Sequence, residues 1–403
     1  MLIGAAIGVI GGIIFNRIGI DSPVTKQVVF ICGIAGGVFI GLLKMILVPL
    51  IFTSIATGVA NLQAHANMKR VWVCTLGYFF VASSLALILG MVAVNFVKPG
   101  AGMSIDLFKD AMSTAAPKTM TVGQFFQSFL NGLFMNPIEA MAKTEVLSVV
   151  IFAMLFGLAM VSLGERTKTI RGFLNETFDI IMLLVNWIMI IAPIGIMALL
   201  MKLVATQNLA LLQTVLKFVA VVLSTTIFHG LVTLPLLLWI VTRISPLHFF
   251  ASMRDSLITA FSTSSSSATM PVTLRCVTDN LKVDKRIAGF VVPLGTTVNM
   301  DGTAMYEAIA AIFIANLVGI ELNLVQQVIV FWTAMLASIG APGIPSAGMV
   351  TMVMVLQSVG LPAEAIALLL PIDRPLDAIR TVVNVEGDAV GSLIVQKMTQ
   401  KPA

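Results

Sequence analysis

Long runs without Asp, Glu, Lys or Arg constrain this chain more than any other feature of its sequence. The clearest are Val71 to Val97, Ile180 to Met201 and Phe218 to Thr242. A helix needs about 20 mainly apolar residues to cross the hydrocarbon core of a bilayer, so each run is long enough. Hydrophobic residues make up 58% of the 403 residues and charged residues only 11%, which excludes an ordinary soluble domain. The sequence therefore predicts an all-α polytopic membrane protein.

The basic residues lie in short clusters between the apolar runs. A net charge of +5 would also suit a nucleic-acid-binding protein. Clusters such as Lys69/Arg70 and Arg166/Lys168/Arg171 lie at the ends of apolar runs, however, as they do in the cytoplasmic loops of membrane proteins. We therefore expect no nucleic-acid partner. With every cluster in the cytoplasm, six spans precede residue 250, and the apolar stretch from Met1 is the first of them, not a cleaved signal.

Two uncharged segments do not fit a simple crossing. Ser256 to Leu274 has an arginine on either side, so a full crossing would place one of the two on the wrong face. A hairpin that enters and leaves on the cytoplasmic side removes this conflict. Leu322 to Ala363 is too long for one span, and Gly and Pro break a helix at its centre, "SIGAPGIPSAG". Two spans with a tight turn would also explain it, but its acidic flanks favour re-entry from outside.

The predicted order is six spans, a hairpin, a span, a second hairpin and a last span. This gives eight transmembrane helices plus two re-entrant helical hairpins that enter from opposite faces as inverted repeats. Inverted repeats are typical of secondary transporters, whose binding sites lie near the midplane where broken elements meet. The run "STSSSSAT", residues 262–269, would form the tip of the first hairpin. Hydroxyl groups are costly in hydrocarbon unless partnered, so this tip should face a polar site inside the protein.

The last span carries a polar stripe along one helical face. Its members, in "DAIRTVVNVEGD", are Asp377, Arg380, Thr381, Asn384 and Asp388. Charged side chains inside a membrane are costly and by default indicate function. The planar guanidinium of Arg380 matches a carboxylate, and Asp377 can accept from an ammonium group. The stripe therefore suits an amino acid with an acidic side chain; the alternative is an internal salt bridge that only closes a helix bundle.

A second polar cluster lies in "GTTVNMDGT", between the two hairpins. Asn299, Asp301 and Thr303 are bracketed by Gly295 and Gly302, which weaken a helix there. Unwound backbone frees carbonyl oxygens, and together with a carboxylate and an amide it makes a site for a hard monovalent cation. The alternative is a carboxylate that only bonds to a neighbouring span.

Other polar residues receive no role from the sequence. The three histidines, His65, His229 and His248, share no metal-ligand spacing, and Glu386 falls off the polar stripe of the last span. The serine run lacks a Gly-x-Ser-x-Gly motif and a nearby base, so we do not expect an enzyme.

Four ordered motifs carry a resemblance that covers nearly the whole chain. "SSSSAT", "NMDGTAMYEA", "SIGAPGIPSAG" and "DAIRTVVNVEGD" resemble those of the dicarboxylate/amino acid:cation symporters, the family of animal glutamate transporters and archaeal aspartate transporters. The resemblance implies a homotrimer in contact with membrane lipids, in which a transport domain slides along a rigid scaffold in an elevator mechanism. The implied divisions are 1–70 (scaffold helices 1 and 2), 71–98 (transport-domain helix 3), 99–205 (outer loop and scaffold helices 4 and 5) and 206–403 (transport core, with hairpins at about 247–281 and 322–360). Short loops favour a bacterial inner membrane.

The resemblance also implies a ligand for each matching residue, with L-glutamate or L-aspartate as substrate. Ser265 and Ser266 would bind the α-carboxylate, Asp377 the amino group and Arg380 the side-chain carboxylate, with Met300, Thr303, Thr381 and Asn384 completing the pocket and Ile344 and Gly348 at the outer gate. Na⁺, the implied coupling ion, would lie between Gly295, Asn299, Asn384 and Asp388, and a second ion would use Thr297 with Ser338, Ile339 and Ala341. We expect no other cofactor.

This chain departs from the family pattern at a third sodium site. There the family uses tyrosine and threonine oxygens from the third span beside the residues that match Asn299 and Asp301. This chain has Phe79, Ala82 and Ser83 at the third-span positions. Two ligand oxygens are missing, which puts full three-sodium coupling in question.

Two further positions bear on the coupling ion and on the choice of substrate. Glu307, in "MYEA", matches a carboxylate that the resemblance links to proton coupling; the alternative is a glutamate bonded permanently to a neighbour. Family members carry an arginine at the position of Ser264 or of Ala378, and this chain has neither, so Arg374 either substitutes or caps Asp373. A C4-dicarboxylate carrier is the competing interpretation, but such relatives tend to lack the acidic partner that Asp377 supplies.

Overall fold

The computed structural model describes residues 2–60, 69–102, 134–143, 146–206, 210–341, 343 and 346–399. Within these ranges all regular structure is helical, as the sequence predicted. The α-helices are α1 (Leu2–Ile18), α2 (Pro23–Ala60), α3 (Lys69–Val97), α4 (Pro137–Lys143), α5 (Val146–Leu163), α6 (Lys168–Thr206), α7 (Ala210–Phe228), α8 (Leu234–Thr242), α9 (Pro246–Thr263), α10 (Ser266–Arg275), α11 (Lys285–Val298), α12 (Asp301–Leu317), α13 (Leu324–Gly340), α14 (Ala347–Ser358) and α15 (Leu370–Thr399).

Four short helical turns connect some of these helices. Gly164–Thr167 and Ala363–Leu368 are 3₁₀ turns, and His229–Thr233 and Cys276–Asn280 are π turns. The π turn at His229–Thr233 joins α7 and α8 into one nearly continuous helix. Arg243 ends that helix in the left-handed conformation, with φ at 64°.

The helices pack in two groups. In the first, α1 and α2 pack on α6, and α5 packs on α2. In the second, α3, α7, α13, α14 and α15 pack against α12, and α8–α11 pack against α15; α12 is buried without interruption from Asp301 to Ala315. The contacts between the two groups are sparser and include those of α13 and α14 with α2. The second group contains every polar motif found in the sequence.

Among the described residues, two helices are long and apolar enough to cross a membrane. By length and composition these are Arg70–Val97 and Gln213–Thr242, and a bent pair, Ile151–Val185 with Ile190–Thr206, would give a third. Large apolar side chains also cover much of the outer surface; Phe96, for example, is 89% exposed. An all-helical membrane protein agrees with these features, while the count of eight spans with two hairpins stays a prediction.

Both predicted hairpins are pairs of helices joined by a short break. α9 and α10 meet at Ser264 and Ser265, and the Ser265 hydroxyl caps α10 by accepting from the backbone N–H of Ala268 at 3.1 Å. Ser264 adopts the left-handed conformation, with φ at 50°, which turns the chain. α13 ends at Gly340 and packs against α14, so the break falls where the sequence predicted it. Re-entry of either pair into a membrane stays a prediction.

Glycines let the helices of the first group approach closely. A Cβ atom at Gly8 would lie 2.6 Å from the carbonyl oxygen of Met197 in α6. A Cβ atom at Gly157 in α5 would lie 2.7 Å from the Cβ of Val59 and 3.0 Å from the carbonyl oxygen of Ala56. Small residues stabilise helix pairs in membranes by this close backbone approach.

We expect Gly157→Ala to destabilise the protein and Gly172→Ala not to. The first adds a methyl group against a β-branched side chain and backbone, which overpacking data put at about 1–3 kcal/mol. The second, in α6, meets no atom within 4 Å and gains helix propensity of up to about 1 kcal/mol. Thermal unfolding of the purified variants in detergent measures both. Equal unfolding midpoints would show that the α5–α2 contact is looser than this packing implies.

Candidate functional site

The polar cluster at residues 299–303 lies where the chain unwinds between α11 and α12. Asn299 and Met300 have backbone angles outside the helical region, with φ/ψ of −109°/77° and −115°/62°. The break leaves the backbone N–H of Gly302 in the first turn of α12, and it donates to Asn384 Oδ1 on α15 at 2.9 Å. The weakening predicted from the glycines is therefore present, and a side chain of the last helix holds the broken end.

Two buried oxygens at this break lack a hydrogen-bond partner. Asn299 Nδ2 donates to Asp388 Oδ1 at 3.1 Å, while Asn299 Oδ1 and Asp388 Oδ2 have no partner among the described residues. The carboxylate of Asp388 lies against Gly295, where any Cβ atom would overlap it. Oxygen atoms of amide and carboxylate groups are what a hard cation requires, so this set fits a sodium ion. Gly295, Asn299 and Asp388 are therefore in contact, while Asn384, one turn before Asp388 on α15, bonds to Gly302 and Thr303; an ion between these four residues stays a prediction.

The second predicted ion site draws on the end of another helix. Ser338 and Ile339 lie in the last turn of α13, and Ala341 directly follows that helix. The hydroxyl of Thr297, in α11, donates to the carbonyl oxygen of Leu294 at 3.1 Å. α11 and α13 contact each other, so the structure places the two halves of this set on neighbouring helices.

Arg380 occupies the centre of the polar stripe on α15 and is only 1% exposed. Its Nη2 donates to Asp373 Oδ1 at 2.7 Å and to Asp377 Oδ1 at 3.0 Å. The guanidinium carbon lies 3.9 Å from the centroid of the Tyr306 ring, a cation–π contact. Nε and Nη1 have no partner in the described part of the chain. Two donors of a buried, fully charged group are therefore free for a ligand.

The carboxylate of Asp377 has two further contacts besides its ion pair with Arg380. Its Oδ2 accepts from the backbone N–H of Ser346, just before α14, at 2.8 Å. Arg374 Nη1 lies 4.0 Å from the same oxygen, and the Arg374 side chain is 36% exposed. Arg374 thus faces Asp377, whereas the buried partner of Asp373 is Arg380. Among the described contacts the Arg374 guanidinium does not cap Asp373, and its substitution for the family arginine stays a prediction.

The tips of the two helix pairs contact each other beside the stripe. The hydroxyl of Ser265 donates to the carbonyl oxygen of Gly343 at 2.6 Å, and the backbone N–H of Ser267 donates to the same oxygen at 3.0 Å. Ser266, between them, is 3% exposed. The two serines expected to bind a carboxylate are therefore buried under the second tip.

The other expected pocket residues lie around Arg380. A Cβ atom at Gly348 would lie 3.0 Å from Thr303 Cγ2 and 3.6 Å from Arg380 Nη1, so α14 approaches both. Asn384 Nδ2 donates to the hydroxyl of Thr303 at 3.3 Å. The remaining two are buried: Thr381, whose hydroxyl donates to the carbonyl oxygen of Asp377 at 2.8 Å, and Met300. Ile344 lies outside the described residues.

Glu307 lies one helical turn beyond Thr303 and is fully buried. The hydroxyl of Thr351 on α14 donates to Oε1, and Oε2 has no partner among the residues described. A Cβ atom at Gly348 would lie 4.0 Å from Oε1, which puts this carboxyl group at the edge of the Arg380 pocket. Its hydrogen bond runs to the second helix pair, the segment expected to act as the outer gate.

Three residues without a substrate or ion role from the sequence belong to the polar interior. Asp373 pairs with Arg380, and His229 Nε2 lies 3.3 Å from Asp301 Oδ2. Glu386, 2% exposed, lies against Gly230, where a Cβ atom would be 3.1 Å from Glu386 Oε2. A histidine inside the apolar run 218–242 and a glutamate beside the stripe were the available indications. Spacing alone did not connect either to a partner.

Comparison with known proteins identifies the class to which this fold and site belong. The family model of the sodium:dicarboxylate symporter family matches residues 1–398. Excitatory amino acid transporter 3 of Mus musculus is 36% identical over 98% of this chain and 84% of its own length. Excitatory amino acid transporter 2 of Homo sapiens is 35% identical over 97% of this chain and 77% of its own. A putative sodium-dependent excitatory amino acid transporter, glt-4 of Caenorhabditis elegans, is 34% identical over 91% of this chain and 82% of its own.

The chain belongs to the sodium:dicarboxylate symporter family. The resemblance found in the four motifs is thereby confirmed.

We expect Gly295→Ala to abolish stabilisation by sodium and Gly289→Ala to preserve it. The methyl group at position 295 displaces the Asp388 carboxylate, whereas position 289 of the same helix has no atom within 4 Å. A ligand that binds only the folded protein raises its unfolding temperature. The measurement is the unfolding midpoint in sodium chloride against choline chloride. Sodium stabilisation of Gly295→Ala equal to that of the parent would exclude Asp388 as an ion ligand.

Proposed function

We propose that this chain takes up L-glutamate or L-aspartate as a secondary active symporter, driven by sodium, by protons or by both. The observation that carries the proposal is the buried Arg380, which keeps two donors free beside Asp377. An arginine that is almost fully buried must have a partner for its remaining N–H groups, or their desolvation is uncompensated. A substrate carboxylate can accept charge-assisted hydrogen bonds from these N–H groups.

The acidic residues of the pocket select for an amino group. Asp377 Oδ1 lies 3.0 Å from Arg380 Nη2. When the side-chain carboxylate of the substrate binds the guanidinium, the α-ammonium group of the same molecule therefore comes within reach of Asp377. The N-terminus of α10, with Ser265 and Ser266, presents backbone N–H groups and hydroxyls that suit the second carboxylate. This arrangement supports one positive and two negative groups on the substrate.

A C4-dicarboxylate would fit the same arginine but not its neighbour. Succinate has no ammonium group, so Asp377 would stay a buried negative charge without its substrate partner. We therefore expect succinate to compete poorly with labelled aspartate for the reconstituted protein. Competition by succinate at concentrations similar to unlabelled aspartate would favour the dicarboxylate carrier.

The contact between the two tips supports a gate that responds to substrate. Ser265 donates its hydroxyl to Gly343, and a bound carboxylate would compete with that carbonyl for the same hydrogen. Ser346 is likewise held by Asp377, the residue assigned to the substrate amino group. Two of the three hydrogen bonds described at the second tip therefore involve residues that substrate would engage.

The packing in two groups supports an elevator mechanism. The first group, α1, α2, α5 and α6, would form the scaffold of a homotrimer, and the second group would move with substrate and ions. Sparse contacts between the groups suit sliding, and the dense glycine-mediated packing within the first group suits a rigid support. Short loops support a bacterial inner membrane as its location.

We expect Arg380→Ala to lose at least about 100-fold in affinity for both amino acids, since removing one partner of a buried ion pair costs about 3–5 kcal/mol. Arg286→Ala, at an 85% exposed position, is the matched control. Uptake into proteoliposomes under separately imposed sodium, proton and potassium gradients measures affinity and the driving ion together. Undiminished accumulation of acidic amino acids by Arg380→Ala would contradict the proposal.

We expect Glu307→Gln to keep exchange of internal for external substrate but to lose acceleration of net uptake by an inward proton gradient. The amide still accepts from Thr351, so packing is preserved, but it cannot carry a proton. Glu321→Gln, at a position 91% exposed, is the matched control. Counterflow of labelled substrate and net uptake at different external pH separate the two steps. Unchanged pH dependence would remove Glu307 from coupling.

A further inference from the structure

Asp301 differs from the other carboxylate near the break between α11 and α12. Its Oδ1 accepts from the hydroxyl of Ser83 on α3 at 2.6 Å, and its Oδ2 lies 3.3 Å from Nε2 of His229. All three side chains are buried. Asp388 keeps one oxygen without a partner in the described ranges, whereas both oxygens of Asp301 are engaged by side chains of the protein.

His229 reaches Asp301 through a local change in helix type. The π turn His229–Thr233 interrupts an otherwise α-helical segment, and π turns within helices are frequent at functional positions. Stacked rings of Phe218 and Phe313, with centroids 4.5 Å apart, fix α7 against α12. Gly230 allows the turn to approach α15, because a Cβ atom there would lie 3.0 Å from Val383 Cγ2. The ring of His229 is therefore held in place by the packing on both sides.

The third helix offers little else to a cation at Asp301. Phe79 and Ala82 are buried and supply no oxygen from their side chains. The hydroxyl of Tyr78 donates to the carbonyl oxygen of Gly387 at 3.1 Å and is thereby engaged elsewhere. Ser83 is the one α3 side chain with a described hydrogen bond to Asp301. A hard cation needs several oxygen ligands, so these residues do not fit the third sodium site of the family pattern.

We infer that the N–H of His229 takes the place of a sodium ion at Asp301, so that this chain couples transport to fewer than three sodium ions. An ionised Asp301 can only accept hydrogen bonds, which makes Nε2 of His229 the donor. A buried carboxylate requires such a donor or a cation, and the ring supplies it without an ion. His229 is in this view a positioning residue. The inference rests on the proposed sodium-driven uptake of acidic amino acids.

The sodium dependence of substrate binding tests this inference. By linkage, the slope of log Kd for aspartate against log sodium concentration gives the number of sodium ions bound together with the substrate. For the purified parent protein we expect a slope of about −2. In Phe79→Tyr/Ala82→Thr/His229→Ala, two oxygens are restored and the ring is removed, so we expect a slope of about −3. His229→Gln, whose amide also donates, should keep the slope of the parent.

Three results would overturn the inference: a slope near −3 in the parent, an unchanged slope in the triple variant, or a changed slope in His229→Gln. If the triple variant fails to fold, which size-exclusion chromatography would show, the slopes of the parent and of His229→Gln still test the inference. A failure of the proposed function looks different. In that case neither amino acid binds at any sodium concentration, and the inference falls with it.

Discussion

The placement of one guanidinium in an apolar helical interior determines most of the architecture around it. Removing an ion from water costs several kcal/mol, and Arg380 offsets this through Asp373, Asp377 and the face of Tyr306. These partners come from α15 itself and from α12. The ion pairs lie within α15, and the cation–π contact with Tyr306 is what links the guanidinium to α12. Nε and Nη1 have no partner among the described residues, and in the proposed function a substrate carboxylate would compensate them.

Helix breaks supply the other half of the site, and the same physics limits where they occur. Unpaired backbone groups are tolerated at membrane depth only where they are buried in protein or line a polar space. Here the breaks at 264–265 and 299–300, and the one between α13 and α14, belong to the second group of helices. Their free groups find partners in one another, as between Ser265 and Gly343, or in α15, as between Gly302 and Asn384. The site forms where broken helices satisfy each other.

The sequence predicted these breaks and the stripe of α15 because each has a local cause. Glycine weakens the helix near 299–300, and glycine and proline do so after α13, while the arginines on either side of Ser256–Leu274 indicated the first break. A charge in an apolar run is visible without a partner. Partner choice has no such local cause. His229 and Asp301 are 72 positions apart in the sequence. Their contact depends on the π turn and on how α7 packs against α12. A histidine in an apolar run does not reveal its partner through composition, and His229 shows no helical spacing to an acidic residue. Which carboxylate faces Arg374 likewise depended on side-chain direction along α15.

The residues proposed to bind substrate and ion share α15 and the break before α12, and this sharing would give coupling a physical basis. Asn384 donates to Thr303 in the pocket and accepts from Gly302 at the break, so one amide fixes both. One turn further, Asp388 holds Asn299 at the other end of that break. A sodium ion bound at Asn299 and Asp388, as proposed, would order the start of α12, and a substrate bound at Thr303 would do the same from the other side. Each ligand then lowers the ordering cost of the other, and thermodynamic linkage requires the effect to be equal in both directions.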